Sequence, residues 1–246
     1  MPQHEMTGHI EGREATSGWS VRGDVHEKPV LILIDGLFQE GPGGLLESFS
    51  EAPQMRQRFD VLQWTFGQLA FRPVWRLEGP EFYAESLRKY LLEKEPKYPA
   101  ITIIAQSLGG IILKRALVST HESSLKDKIE LIVFIGTPEE GVHAFPQQGL
   151  SHLPLLARVV PARVSLASFW KGDPGIVKAE SEWARWLKNT NIRVVHVLGV
   201  RDSVSPFHPV KHWDTENVYM TPYSHVELMS AVNYPVIGQI VSGVLP

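Results

Sequence analysis

The chain has 246 residues, an apolar fraction of 43%, 24 lysines and arginines against 27 aspartates and glutamates, and no cysteine. This length and composition suit one globular domain with a sizeable core. The near balance of charge, without a long block of either sign, argues against a nucleic acid as partner. Without cysteine there can be no disulfide, no thiol nucleophile and no cysteine-ligated metal.

Residues 1–27 mix glycine, charged and isolated apolar residues, a pattern that predicts an arm or a weak edge hairpin before a domain over residues 28–246. The first residues, Met1 to Arg13, lack the continuous apolar core of a secretion signal. The longest apolar runs have the length of a strand rather than of a membrane span. We therefore expect a cytoplasmic protein without stable membrane insertion.

From Lys28 onward, short apolar runs alternate with helical patterns. This alternation predicts an α/β fold with a mostly parallel, doubly wound sheet and helices on both faces. The predicted strands are Val30 to Ile34, Phe59 to Trp64, Ile101 to Ala105, Leu131 to Ile135, Val194 to Leu198 and Val218 to Met220. Apolar residues at helical spacing predict helices after Pro80, after Ser107, from Ile176 to Leu187 and from Val236 to Val244.

The longest interval without a predicted strand is residues 141–191, which we interpret as a small cap inserted into the domain. Residues 150–170 within it are rich in leucine and valine and include Phe169 and Trp170, which is more apolar material than a solvated connection needs. These residues either line an apolar substrate pocket or form the core of the cap itself, and both interpretations can hold together.

A serine between a predicted strand and a predicted helix carries the strongest chemical signal. Residues 101–110 read Ile-Thr-Ile-Ile-Ala-Gln-Ser-Leu-Gly-Gly. Such a junction predicts a nucleophile elbow, in which a strained turn exposes the hydroxyl of Ser107 at the carboxyl edge of the sheet. Ala105 and Gly109 are small, as the close approach of strand and helix requires. Ser107 is therefore the candidate nucleophile.

A serine hydroxyl needs a base to take its proton and an acid to orient that base. On a sheet of this kind with a nucleophile elbow, the chain order is serine, acid, histidine. Asp202 comes just after the fifth predicted strand, and His225 comes in the loop after the sixth strand and before a helix. We predict Asp202 as the acid and His225 as the base, with Glu139 or Glu140 after the fourth strand as alternative acids.

Backbone N–H groups are expected to stabilise the oxyanion that forms when a carbonyl is attacked. The N–H of Leu108 is one predicted donor, because it lies at the positive end of the helix after the elbow. The second donor is predicted in the loop after the first strand, at the N–H of Leu37 or Phe38, where Gly36 allows close approach.

These motifs resemble the α/β-hydrolase superfamily over nearly the whole chain from residue 28. The similarity is to serine esterases and lipases of the GPI inositol-deacylase-like type, and it rests on residues 106–117 and 134–141. It implies the α/β-hydrolase fold and an esterase or lipase activity. Enzymes of this type usually carry Gly-His-Ser-Leu-Gly-Gly at the elbow, Gly-Thr-Pro-His-x-Gly later, and a His-Gly start to the oxyanion loop. This chain departs from those patterns at Asp35, Ala105, Gln106 and Glu139.

Other kinds of site fit the sequence less well. His208 and His212 are four residues apart, but prolines at 206 and 209 disrupt a helix there and no acidic residue lies at a matching spacing. We therefore expect no metal. The Gly-Pro-Gly-Gly segment at 41–44 lacks the lysine and serine of a phosphate-binding loop, and we interpret it as a flexible loop beside the pocket entrance.

The sequence thus predicts a serine hydrolase that cleaves a small-molecule carboxylic ester through a Ser-His-Asp triad and an acyl-enzyme, without a cofactor. The apolar cap favours a lipophilic acyl ester. An acyltransferase or a thioesterase would use the same residues, and a non-catalytic binding module of the same fold is the alternative from another class.

Overall fold

The computed structural model describes residues 26–36, 44–65, 80–120, 123–139, 141, 174–188, 190–205 and 217–243. Its strands are β1 (Val30–Ile34), β2 (Asp60–Trp64), β3 (Ile101–Gln106), β4 (Ile129–Ile135), β5 (Arg193–Gly199) and β6 (Val218–Thr221). They form one sheet in the order β2-β1-β3-β4-β5-β6, and every neighbouring pair runs parallel. Each predicted strand is present, with ends that differ by one or two residues at most.

Helices lie between these strands and after the last of them. They are α1 (Leu45–Glu51), α2 (Pro53–Arg58), α3 (Pro80–Lys94), α4 (Leu108–Val118), α5 (Ser123–Lys128), α6 (Pro174–Leu187), α7 (His225–Leu228) and α8 (Tyr234–Val241). Turns of 3-10 helix lie at Glu95–Lys97 and Ala231–Asn233. The predicted helices are α3, α4, α6 and α8.

Both faces of the sheet are buried. The side chains of each strand alternate between these two faces. Along β1, Val30, Ile32 and Ile34 join the core on one face, and Leu31 and Leu33 join the core on the other. The first core contains residues of α3, α4 and α6, and the second contains residues of α1, α2 and α8. This explains why the central strands read as continuous apolar runs rather than as alternating patterns.

Four short helices, α1, α2, α5 and α7, were not predicted. In α1, Leu45 and Phe49 are buried one helical turn apart, and α2 begins with Pro53 at its first position. Helices α1, α2 and α5 each have fewer than eight residues. None of the three is long enough to show two turns of apolar periodicity. Helices this short are held by tertiary packing rather than by local propensity, which a sequence pattern does not reveal.

Two predicted features lie largely outside the described residues, namely residues 1–25 of the arm and residues 142–173 of the cap. They stay predictions. The last part of the predicted cap range is α6, whose Ile176, Trp183 and Trp186 are buried in the core on the α4 side of the sheet. The two tryptophan rings stack on each other, with 5.1 Å between their centroids.

The strand order creates a crevice at the carboxyl edge of the sheet. The chain passes from β1 outward to β2 and then returns to β3 on the opposite side of β1. At such a reversal the following loops diverge, and ligands of open α/β sheets bind there. Ser107 follows β3, while Asp35 and Gly36 follow β1, so both segments reach the same crevice.

Replacing Gly109 with alanine is expected to destabilise the fold by about 1–3 kcal/mol, because a Cβ there would overlap the backbone carbonyl oxygen of Asp35. Gly238 in α8 is a matched control, since a Cβ there would lie 3.6 Å or more from its neighbours. Gly238→Ala should leave the stability unchanged or raise it. Chemical unfolding followed by circular dichroism measures both, and a Gly109→Ala protein as stable as the wild type would contradict the packing described here.

Candidate active site

Ser107 occupies the turn between β3 and α4. With φ of 50° and ψ of −127°, it is the one non-glycine residue with a positive φ in the described part of the chain. Such a conformation costs about 1–3 kcal/mol and persists only where the surroundings impose it. The N–H of Ser107 donates to the carbonyl of Ile135 at 2.8 Å, and its own carbonyl accepts from the N–H of Gly110 at 3.0 Å. These bonds hold the strained turn that a nucleophile elbow requires.

The side chains of Ser107, His225 and Asp202 form a continuous hydrogen-bonded chain. Ser107 Oγ lies 2.9 Å from His225 Nε2, and His225 Nδ1 lies 2.7 Å from Asp202 Oδ2. Because a carboxylate only accepts hydrogen bonds, we assign the ring proton to Nδ1, which leaves Nε2 as the acceptor for the serine hydroxyl. Asp202 is buried, whereas the side chain of His225 is 17% exposed and can meet a ligand.

The second carboxylate oxygen of Asp202 is fixed by the backbone that follows it. The N–H groups of Val204 and Ser205 each donate to Oδ1 at 2.9 Å. On the other side, Gly136 adopts a φ of 54°, and a Cβ there would lie 3.2 Å from Oδ2. A side chain at this position would be strained and would crowd the acid. Contacts on both oxygens therefore aim the carboxylate at His225.

His225 is the first residue of α7, a short helix that was not predicted, whereas the sequence pattern placed His225 in a loop before a helix. A Ser-x-x-Glu capping pair begins this helix. The carboxylate of Glu227 accepts from the N–H of Ser224 at 2.8 Å and from its hydroxyl at 2.7 Å. These two bonds and the nearby guanidinium of Arg201 hold the pKa of Glu227 below its usual value.

Arg201 joins the turn that carries the acid to the turn that carries the histidine. Its guanidinium donates to the carbonyl of Pro222 at 2.5 Å and to Glu227 at 3.0 Å. Its backbone N–H donates to the carbonyl of Tyr223 at 3.2 Å. Arg201 and Glu227 were not among the predicted site residues. The Ser-x-x-Glu spacing was the available signal for Glu227.

The carboxylate that contacts His225 is that of Asp202, not that of Glu139. Glu139, in the loop after β4, is buried and forms an ion pair with Lys114. Its carboxylate also lies 3.4 Å from Nδ1 of His196. Glu140, the second alternative acid, lies outside the described residues. The geometry therefore favours Asp202 as the acid.

Leu108 is the first residue of α4, so its N–H has no acceptor within the helix and points along the helix dipole. Leu37 and Phe38, the other predicted oxyanion donors, lie outside the described residues. The loop that contains them does start beside the elbow, because the carbonyl of Asp35 lies against Gly109. Asp35 itself is buried and accepts a hydrogen bond from the amide of Gln63.

Within the described ranges, no group of three or more histidine, aspartate and glutamate side chains has an arrangement that could hold a metal ion. His208 and His212 lie outside those ranges. A search of the same residues finds no helix that is long and apolar enough to cross a membrane.

Solved structures with a similar fold include several hydrolases. A candidate aryl esterase from Burkholderia cenocepacia matches with a TM-score of 0.56 and 13% identity, over 90% of each chain. A lipase from Bacillus licheniformis matches with a TM-score of 0.55 and 13% identity, over 91% of this chain and 96% of its own. A bromoperoxidase from Bacillus anthracis matches with a TM-score of 0.53 and 15% identity, over 89% and 92% of the two chains.

No protein-family model matches the chain, and no curated protein sequence matches it. The similarity to the GPI inositol-deacylase-like type therefore stays a prediction. The parallel sheet, the strained serine turn and the three solved structures agree on the architecture, and the chain has the α/β-hydrolase fold.

Proposed function

We propose that this protein is a serine hydrolase that cleaves carboxylic esters through an acyl-enzyme on Ser107. The observation that carries the proposal is the continuous hydrogen-bonded chain from Ser107 through His225 to Asp202, with contacts of 2.9 and 2.7 Å. The strained turn at Ser107 and the buried carboxylate of Asp202 both lower the stability of the fold. Packing requires neither of them, because an apolar residue could fill the space of each side chain. Activation of a nucleophile accounts for both costs.

In the acylation step, Nε2 of His225 takes the proton of Ser107 while Oγ attacks the ester carbonyl carbon. Asp202 stabilises the resulting imidazolium and keeps its ring in place. Backbone N–H groups of Leu108 and of Leu37 or Phe38 bind the oxyanion of the tetrahedral intermediate. The imidazolium then gives its proton to the leaving alkoxide, so an alcohol departs and the acyl group stays on Oγ.

In the deacylation step, the same histidine takes a proton from water, and the hydroxide attacks the acyl-enzyme. Collapse of the second tetrahedral intermediate releases the carboxylic acid and returns the proton to Oγ of Ser107. The two steps use the side chains of Ser107, His225 and Asp202 together with the backbone N–H groups that bind the oxyanion.

The substrate class proposed is a lipophilic acyl ester. The neighbours named as an esterase and a lipase support an ester as the bond that is cleaved. The apolar composition of residues 150–170, which follow β4 and precede α6, supports an apolar acyl chain.

Hydrolysis of p-nitrophenyl acetate, butyrate, octanoate and laurate tests this function. We expect saturable release of p-nitrophenol, a carboxylic acid as the other product, and a kcat/KM that rises from acetate toward the longer chains. Turnover that appears only when an alcohol is added would indicate an acyltransferase instead. A folded protein that cleaves none of the esters would indicate a binding module.

A further inference from the structure

A buried ionic cluster surrounds Lys114. The side chain of Lys114, on α4, is 1% exposed and contacts the carboxylates of Glu139 and Glu180. Its ammonium lies 5.0 Å from the centre of the Phe134 ring, on which His196 is stacked. Burial lowers the pKa of Lys114, with Glu180 opposing the shift, and burial also lowers the pKa of His196 well below its usual value.

The two carboxylates reach Lys114 from different elements. Glu180 belongs to α6 and accepts from the ammonium at 3.0 and 2.9 Å. Glu139 belongs to the loop after β4, which also contains Gly136 and Thr137. An unpaired buried ammonium would cost several kcal/mol, so Lys114 holds both elements against α4.

Residues 136–139, at the start of the loop after β4, are held at two points and support the turn that carries the acid. At the first point, the N–H of Gly136 donates to the carbonyl of Val197 in β5 at 2.9 Å. At the second point, Glu139 is paired with Lys114. Between these attachments, the carbonyl of Thr137 accepts from the hydroxyl of Ser205 at 2.9 Å. The position of Thr137 therefore sets the position of Ser205.

The position of Ser205 in turn affects the carboxylate of Asp202, because the N–H of Ser205 donates to Oδ1 of Asp202. The side chain of Thr137 packs against Gly110 on α4, where a Cβ would collide with it. Thr137 thus lies between α4, the helix that follows the nucleophile, and the turn that carries Asp202. Release of Glu139 from Lys114 frees one attachment of the loop after β4.

We infer that Glu139, through its pair with Lys114, is a positioning residue that holds the loop after β4 so that Asp202 stays aligned with His225. The inference rests on the function proposed above.

The matched variants Glu139→Met and Glu180→Met test this role, because each removes one carboxylate from the same buried lysine and only the first lies on the loop. The rate of labelling of Ser107 by a fluorophosphonate is measured together with the imidazole N–H proton signal of His225, with thermal unfolding as the fold control. For Glu139→Met we expect a labelling rate lowered by about ten-fold or more. The downfield N–H signal of the 2.7 Å bond to Asp202 should move upfield or vanish, since the imidazole is then less well held by that carboxylate.

Glu180→Met should label within about two-fold of the wild type, with an unchanged N–H signal. Should Glu139→Met fail to fold, Lys114→Met/Glu139→Met decides by the same readouts, because it removes both charges and replaces them with apolar chains of similar length. Equal losses in the two glutamate variants, a Glu139→Met protein as reactive as the wild type, or slower labelling with an unchanged N–H signal would each overturn the inference. Absence of labelling in the wild type would contradict the proposed function instead.

Discussion

Replacement of Ser107 by alanine is expected to lower kcat for ester hydrolysis by about four orders of magnitude or more, while the protein stays folded. The variant keeps His225 and Asp202 but has no oxygen at 2.9 Å from Nε2 to attack the carbonyl. Alanine also fits the space of serine, although it must adopt the same positive φ. Steady-state hydrolysis of the best p-nitrophenyl ester measures the loss.

Ser181→Ala provides the matched control for this experiment. The hydroxyl of Ser181 only donates to the carbonyl of Val177 within α6, so its loss should leave kcat unchanged. Circular dichroism establishes that both variants are folded. Ester hydrolysis by Ser107→Ala at the rate of the wild type would show that another group is the nucleophile, and the proposed mechanism would then be wrong.

Asp202→Asn is expected to lower kcat by about 10³- to 10⁴-fold with little change in fold. The N–H groups of Val204 and Ser205 bind Oδ1, so they will keep the amide oxygen of the asparagine on their side. The amide nitrogen then faces His225 and donates to Nδ1. The ring proton is forced to Nε2, where it points at Ser107, and the histidine can no longer accept the serine proton.

The same variant distinguishes Asp202 from the two alternative acids, Glu139 and Glu140. If either glutamate were the acid, Asp202→Asn would retain most of the activity, since Asp202 would then only cap its turn. Proton NMR of the imidazole N–H gives an independent readout, because the strong bond to Asp202 Oδ2 at 2.7 Å should produce a downfield signal that the variant lacks. A variant with the activity and the signal of the wild type would exclude Asp202 from the proposed triad.

The sheet could be predicted from the sequence because each of its strands is a short apolar run, and helices on both faces bury such runs on two sides. The order of the strands, with β3 on the opposite side of β1 from β2, has no local signal. The elbow at Ser107 was predictable for a different reason: a strand that turns directly into a glycine-containing helix leaves few other conformations for the serine.

The contacts around the candidate site could not be predicted from local patterns. Asp202 and Glu139 both follow buried strands, and only the three-dimensional arrangement shows that the first faces His225 and the second faces Lys114. Lys114 lies in an apolar helix segment, where a lysine reads as an exposed residue although it is 1% exposed. Its burial depends on carboxylates that are 25 and 66 residues away in the sequence, distances at which no spacing rule applies.

Intact-mass analysis after treatment with a fluorophosphonate tests the central claim most directly. The reagent forms a bond between Oγ of an activated serine and phosphorus and releases fluoride, whatever the natural substrate is. The account predicts a single adduct on the wild type, located on Ser107, and no adduct on Ser107→Ala. A folded wild type without an adduct, or an adduct that persists on Ser107→Ala, would contradict it.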